Sequence, residues 1–105
     1  MLKPVPAPTP SVILPPNHDH AYFQDSAVHP FRHMASQLEL VNAWWLSEAS
    51  LLAYADTEFA TSGFSGAGLE LAGQQPFSGK STQCYVAHNQ DFAIVSFRGT
   101  QVPKV

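Results

Sequence analysis

Five stretches of this chain carry residue types that could do chemistry. Arg98-Gly99-Thr100 closes an apolar run, Phe92 to Phe97, broken only by Ser96. A glycine and a hydroxyl residue at the abrupt end of a strand, where the chain is about to turn, is where α/β enzymes often place functional groups. His18-Asp19-His20 sets two imidazoles at i and i+2, but no close cluster of cysteine or acidic ligands accompanies them, and no metal is expected. Gly63-Phe64-Ser65-Gly66-Ala67 falls one residue short of Gly-x-Ser-x-Gly: Ala67 replaces the last glycine, and a helix rather than an apolar strand is expected before it. Gly79-Lys80-Ser81-Thr82 has the end of a phosphate-binding loop, but Gln74 stands where the first glycine must be, and Gly73 misses by one. Strand-like sequence follows, not a helix whose N-terminus could receive a phosphate. Cys84, the only cysteine, has no activating neighbours and reads as a small buried hydrophobe; no internal disulfide is possible.

The elements around these stretches follow from pattern. A short, nearly continuous apolar run such as Phe92–Phe97 predicts a strand covered on both faces. Thr82 to His88 alternates well enough for a second strand, and Asn89-Gln90-Asp91 between them is turn chemistry, so the two form an antiparallel hairpin. Leu69-Glu70-Leu71 can add a further short strand. Arg98, at the end of an apolar strand, needs a carboxylate or carbonyl partner and reads as the residue that fixes the following loop. Upstream, Ser36-Gln37-Leu38-Glu39 has the capping-box spacing and predicts a helix start. Leu38, Val41, Trp45, Ala49 and Leu52 then fall on one helical face, widened by Trp44, Leu51 and Ala55, with Ser47 and Glu48 off it. Two adjacent tryptophans at this spacing read as core. Asp56 caps a short second helix through Ala60, with Gly63 after it, and residues 61–81 form a glycine-rich zone.

Composition bounds the rest. At 105 residues one small domain is expected. Residues 1–16 hold six of the nine prolines and read as an extended arm; 17–34 stay polar and irregular. The expected division is an irregular N-terminal arm, 1–34, and a folded segment, 35–105. Only 12% of residues are charged, well under the usual quarter, which suggests a unit whose missing part covers apolar surface. A net charge of −3, with five scattered cations, excludes a basic patch and makes nucleic acid an unexpected partner. No 18-residue apolar run predicts a transmembrane helix, and no signal peptide is visible, so the cytoplasm is the expected compartment.

Three stretches together resemble the opening of class 3 (fungal-type) lipases. They are Asn42-Ala43-Trp44-Trp45-Leu46-Ser47-Glu48-Ala49-Ser50-Leu51-Leu52-Ala53-Tyr54, then Thr82 to Ala87, then Ile94-Val95-Ser96-Phe97-Arg98-Gly99-Thr100. The order is a helix running into Leu-Ala-Tyr-x-Asp, a glycine-rich loop, and a hairpin ending in Phe-Arg-Gly-Thr; the likeness covers about residues 40–101. It implies the N-terminal part of an α/β-hydrolase fold, with a long helix, a short helix, a hairpin and an incomplete sheet. It also implies a Ser-Asp-His esterase acting on acyl esters, often of lipids, without a cofactor. By the resemblance Thr100 is an oxyanion-hole residue, Gly99 allows close backbone approach, and Arg98 gives structural support. The nucleophilic serine, its aspartate and its histidine are not in this chain, and His88 cannot be the last because it precedes Thr100. The 105 residues alone are therefore expected to be inactive, with the remainder of the hydrolase domain covering the sheet. The alternative is a non-catalytic helix-and-hairpin interaction module with a Pro-rich arm.

Overall fold

A computed structural model describes residues 18–73, 77–78 (backbone) and 83–98. The elements are α1 (Leu40–Leu52), α2 (Thr57–Gly66), β1 (Glu70–Leu71), β2 (Phe77–Ser78), β3 (Gln83–His88) and β4 (Ala93–Arg98). A single turn of 3-10 helix, Ser26–Val28, interrupts the irregular segment before α1. The fold is mixed α and β, and every strand pairing described is antiparallel.

The sheet is built on β3. β4 pairs along its whole length, from Gln83↔Arg98 to His88↔Ala93. On the other edge β1 and β2 lie end to end, at Leu71↔Ala87 and Phe77↔Cys84. Asn89 shapes the hairpin turn: its side-chain oxygen accepts from the amides of Asp91 (2.8 Å) and Phe92 (3.0 Å).

α1 lays Trp44, Trp45, Ala49 and Leu52 into the core, where they meet Phe64, Leu69, Tyr85, Ala87 and Ile94. The tryptophans are core, as their spacing implies. α1 begins later than the capping box predicts. Glu39 is the N-cap and makes no side-chain cap bond; its carboxylate instead pairs with Arg32 Nε at 3.0 Å. Leu38, expected on the inward stripe, precedes the helix and is 92% exposed. The capping box is not formed, and the Glu39 carboxylate pairs with Arg32, seven residues upstream, instead.

Asp56 caps α2, its side chain accepting from Phe59 N at 2.8 Å. Asp56→Ala is expected to cost about 1 kcal/mol in urea unfolding, with Asp56→Asn recovering most of it. α2 runs through Gly63 to Gly66, longer than predicted, and closes on Gly68 at φ 79°: the Leu69 amide returns to Phe64 O and the Gly68 amide to Ser65 O. Gly63 sits inside the helix because α1 crosses there. A Cβ at this position would stand 2.6 Å from Leu52 Cδ2.

Two expectations need correction. β4 is not covered on both faces: Ile94 and Ser96 point inward and are buried, while Val95 (51% exposed) and Phe97 (59%) point outward. The segment before α1 is irregular, yet it is packed. Phe23 and His29 are buried, and Phe23 belongs to the main core.

Candidate functional site

The best-defined polar geometry is where the C-terminal part of β4 meets the end of α1. Ser96 and Arg98, two residues apart on a strand, share the inward face. Ala49 and Ala53, four apart on a helix, share one face of α1. Two strand residues advance about 6.6 Å and four helical residues about 6 Å, so the two rows stay in step. Ser96 Oγ donates to Ala49 O. Arg98 Nε donates to Ala53 O at 3.0 Å and its terminal nitrogen to Ala55 O at 3.1 Å. Tyr85 from β3 donates its hydroxyl to the same Ala55 O at 2.8 Å. The carbonyls of Ala53 and Ala55 lie at and just past the helix end, where the backbone has run out of intrahelical donors. A cation there also meets the negative end of the helix dipole. Alanines at 49, 53 and 55, all buried, let helix and sheet approach closely enough for these bonds.

The chain passes from Arg98 directly to Gly99 and Thr100, which lie outside the described residues, as do Gln74 and Gly79-Lys80-Ser81-Thr82. The other candidate stretches are not gathered around the clasp. Ser65 lies in α2 and is exposed, with none of the strand-to-helix strain of a nucleophile elbow. Cys84 lies on the outward face of β3, opposite Phe97, and is half-buried rather than enclosed. His18 contacts the ring of Phe59, with ring centroids 4.4 Å apart. Among the described residues no group of three or more His, Cys, Asp or Glu side chains is placed to hold a metal.

One buried polar centre escaped the sequence reading. Glu48, which spacing places off the apolar stripe of α1, is only 4% exposed. Its carboxylate accepts from His20 Nε2 at 3.0 and 3.1 Å and from the Phe23 amide at 3.1 Å. Apolar periodicity cannot find a buried glutamate whose partners lie 25 and 28 residues upstream. The relevant signal was its i+3 spacing from Trp45, itself inward-facing. An open cleft of about 530 Å³ lies at the hairpin-turn end of the sheet, walled by Pro30, Phe31, Trp45, Ala67, Asn89 and Phe92 among others. It is at the opposite end of β4 from Arg98.

Among the described residues no helix is long and apolar enough to cross a membrane. No protein-family model, curated protein or solved structure matches this chain.

Proposed function

We propose that residues 40–101 are the N-terminal segment of a class 3 lipase-like serine ester hydrolase with α/β-hydrolase architecture. In this reading the Thr100 amide, and its hydroxyl with it, forms half of an oxyanion hole. The observation that carries it is the clasp at the end of β4. Arg98, held by two nitrogens to the carbonyls of Ala53 and Ala55, is the residue immediately before Gly99-Thr100. An oxyanion donor works only if it is held in place before charge develops on the substrate oxygen, and a strand end fastened to a helix end supplies such a base. Gly99 adds no Cβ between that base and a bound acyl group. The outward apolar face of Val95 and Phe97 is consistent with further chain packing over the sheet. The substrate is an acyl ester. A serine supplied from beyond residue 105 attacks its carbonyl carbon, and the carbonyl oxygen takes up the negative charge that Thr100 faces.

The test uses the reading frame extended past Val105, which is expected to encode a strand, Gly-x-Ser-x-Gly and a helix. With p-nitrophenyl butyrate the extended chain is expected to turn over, and the 105-residue chain to stay at the buffer rate. Thr100→Pro, which deletes the amide donor, is expected to lower kcat about 10²- to 10³-fold with the thermal midpoint retained. Full activity in a folded Thr100→Pro protein would sink the assignment, whereas unchanged Thr100→Ala would count only against the hydroxyl. The same open face of Val95 and Phe97 favours one other reading, a non-catalytic interaction module. A frame that continues without a serine motif would select it.

A further inference from the structure

We propose that residues 20–32 form a strap that detaches from α1 as one unit, with the Glu48 carboxylate as its latch. The strap runs antiparallel to the helix and is fastened at three points spaced three residues apart on α1. At the far end Glu48 takes His20 Nε2 and the Phe23 amide. In the middle the Trp45 indole N–H donates to His29 O at 2.6 Å. Near the helix start Asn42 both accepts from the Arg32 amide at 2.8 Å and donates to Arg32 O at 3.0 Å. Each step of three residues turns the row by about 60° around the helix, so Asn42, Trp45 and Glu48 form a slanting row on α1 and the strap follows it.

Apart from one turn of 3-10 helix, the strap has no ladder of its own, and it is held under load. Phe23 and Asp25 sit at φ 57° and 60°, a region that bulky side chains rarely adopt. His29 Nε2 is buried with no hydrogen-bond partner among the described residues. Against this stand those polar fastenings, the Arg32–Glu39 ion pair at the helix start, and the packing of Phe23, whose ring centroid lies 5.0 Å from Trp45, 5.8 Å from Phe64 and 6.3 Å from Trp44.

Glu48 decides how costly opening is. Its three hydrogen bonds as described all come from the strap. When the strap lifts, those partners leave together and water reaches the carboxylate, so the open state is not charged with an unpaired buried ion. A hydrophobe at position 48 would instead be exposed by opening. Detachment uncovers Trp44, Trp45 and Phe64 and removes Pro30 and Phe31 from the wall of the 530 Å³ cleft. The strap thus controls access to an aromatic groove at the opposite end of β4 from Arg98, independently of the hydrolase reading.

Native-state hydrogen exchange on the 105-residue chain tests this. The Phe23 amide and the Trp45 indole N–H are expected to exchange together, roughly 100-fold faster than the Ala53 amide in the helix–sheet core. Glu48→Ala and the milder His20→Ala are expected to accelerate both strap sites about tenfold further, and the Ala53 amide by the same factor, because the latch exists only in the closed state and is lost in global unfolding as well. Tryptophan emission, from Trp44 and Trp45 alone, shifts to the red. If the strap sites exchange only with Ala53 through global unfolding, or independently of each other, the strap is not a detachable unit. Strap exchange that is unchanged in both variants overturns the latch.

Discussion

Leu52→Ala is expected to destabilise the protein by about 3 kcal/mol and to reverse the sign of a second substitution, Gly63→Ala. Leu52 is completely buried where α1 crosses α2. Truncating a leucine in such a place costs about 2–5 kcal/mol, a large part of the roughly 5–15 kcal/mol that keeps a domain folded. Gly63 explains the reversal. In the native background an alanine there gains about 0.5–1 kcal/mol of helix propensity. Its Cβ, however, arrives 2.6 Å from Leu52 Cδ2 and 3.2 Å from Cδ1. Leu52 is fully buried, so its methyls move only against packed neighbours; overpacking of this kind costs about 1–3 kcal/mol, so the single substitution is expected to be net destabilising by about 1 kcal/mol. With Leu52 already alanine the clash is gone and the new methyl enters the cavity, so Gly63→Ala becomes stabilising. A urea double-mutant cycle reads this coupling directly. Additive single effects would mean that the two helices do not touch through these residues.

Arg98→Ala is expected to lower stability by about 2 kcal/mol, a fall of roughly 8–16 °C in thermal midpoint for a domain this size. The substitution leaves Ala53 O without its side-chain donor, while Ala55 O keeps the Tyr85 hydroxyl. The cost sits near the low end of the range for charged hydrogen bonds because Arg98 is only half-buried. Arg98→Lys should recover less than half, since an ammonium cannot span two carbonyls as a planar guanidinium does. Under the proposed hydrolase function, the same variants in the extended chain are expected to depress kcat with little change in KM, because Arg98 would act through the placement of Thr100. A loss under about 0.5 kcal/mol would reduce Arg98 to an ordinary surface residue, and the proposed oxyanion geometry would lose its support.

Local chemistry made much of the fold legible. Trp44, Trp45, Ala49, Leu52 and Ala55 recur at helical spacing and are buried because a helix can hide only one stripe. Asp56 begins α2 because its side chain reaches an amide three residues on. The hairpin follows from two apolar runs around Asn89, and an arginine ending such a run is bound to need oxygen partners. Of the candidate site, Arg98 and its place at a strand end could be read in advance.

What could not be read depends on contacts that periodicity and capping signals do not encode. Ser36 carries a valid cap signal, but Glu39 is drawn to Arg32 instead. Gly63 looks like a helix stop, and becomes an interior position only because Leu52 occupies the space beside it. Glu48 looks solvated, and is buried because a strap that pattern alone marks as irregular folds across α1. β4 looks doubly covered, yet its outward face is open in the described structure, since hydrophobicity records what a strand can bury rather than what reaches it. The sequence alone determined the two helices, the hairpin, their order and the residue types at the end of β4, because periodicity and capping act within a few residues; the pairing of Phe77–Ser78 with β3 was not legible there. Only the tertiary structure decided that Ser96, Arg98 and Tyr85 converge on the carbonyls of Ala49, Ala53 and Ala55, because that depends on a strand rise and a helix rise keeping step across separations of 30 to 47 residues.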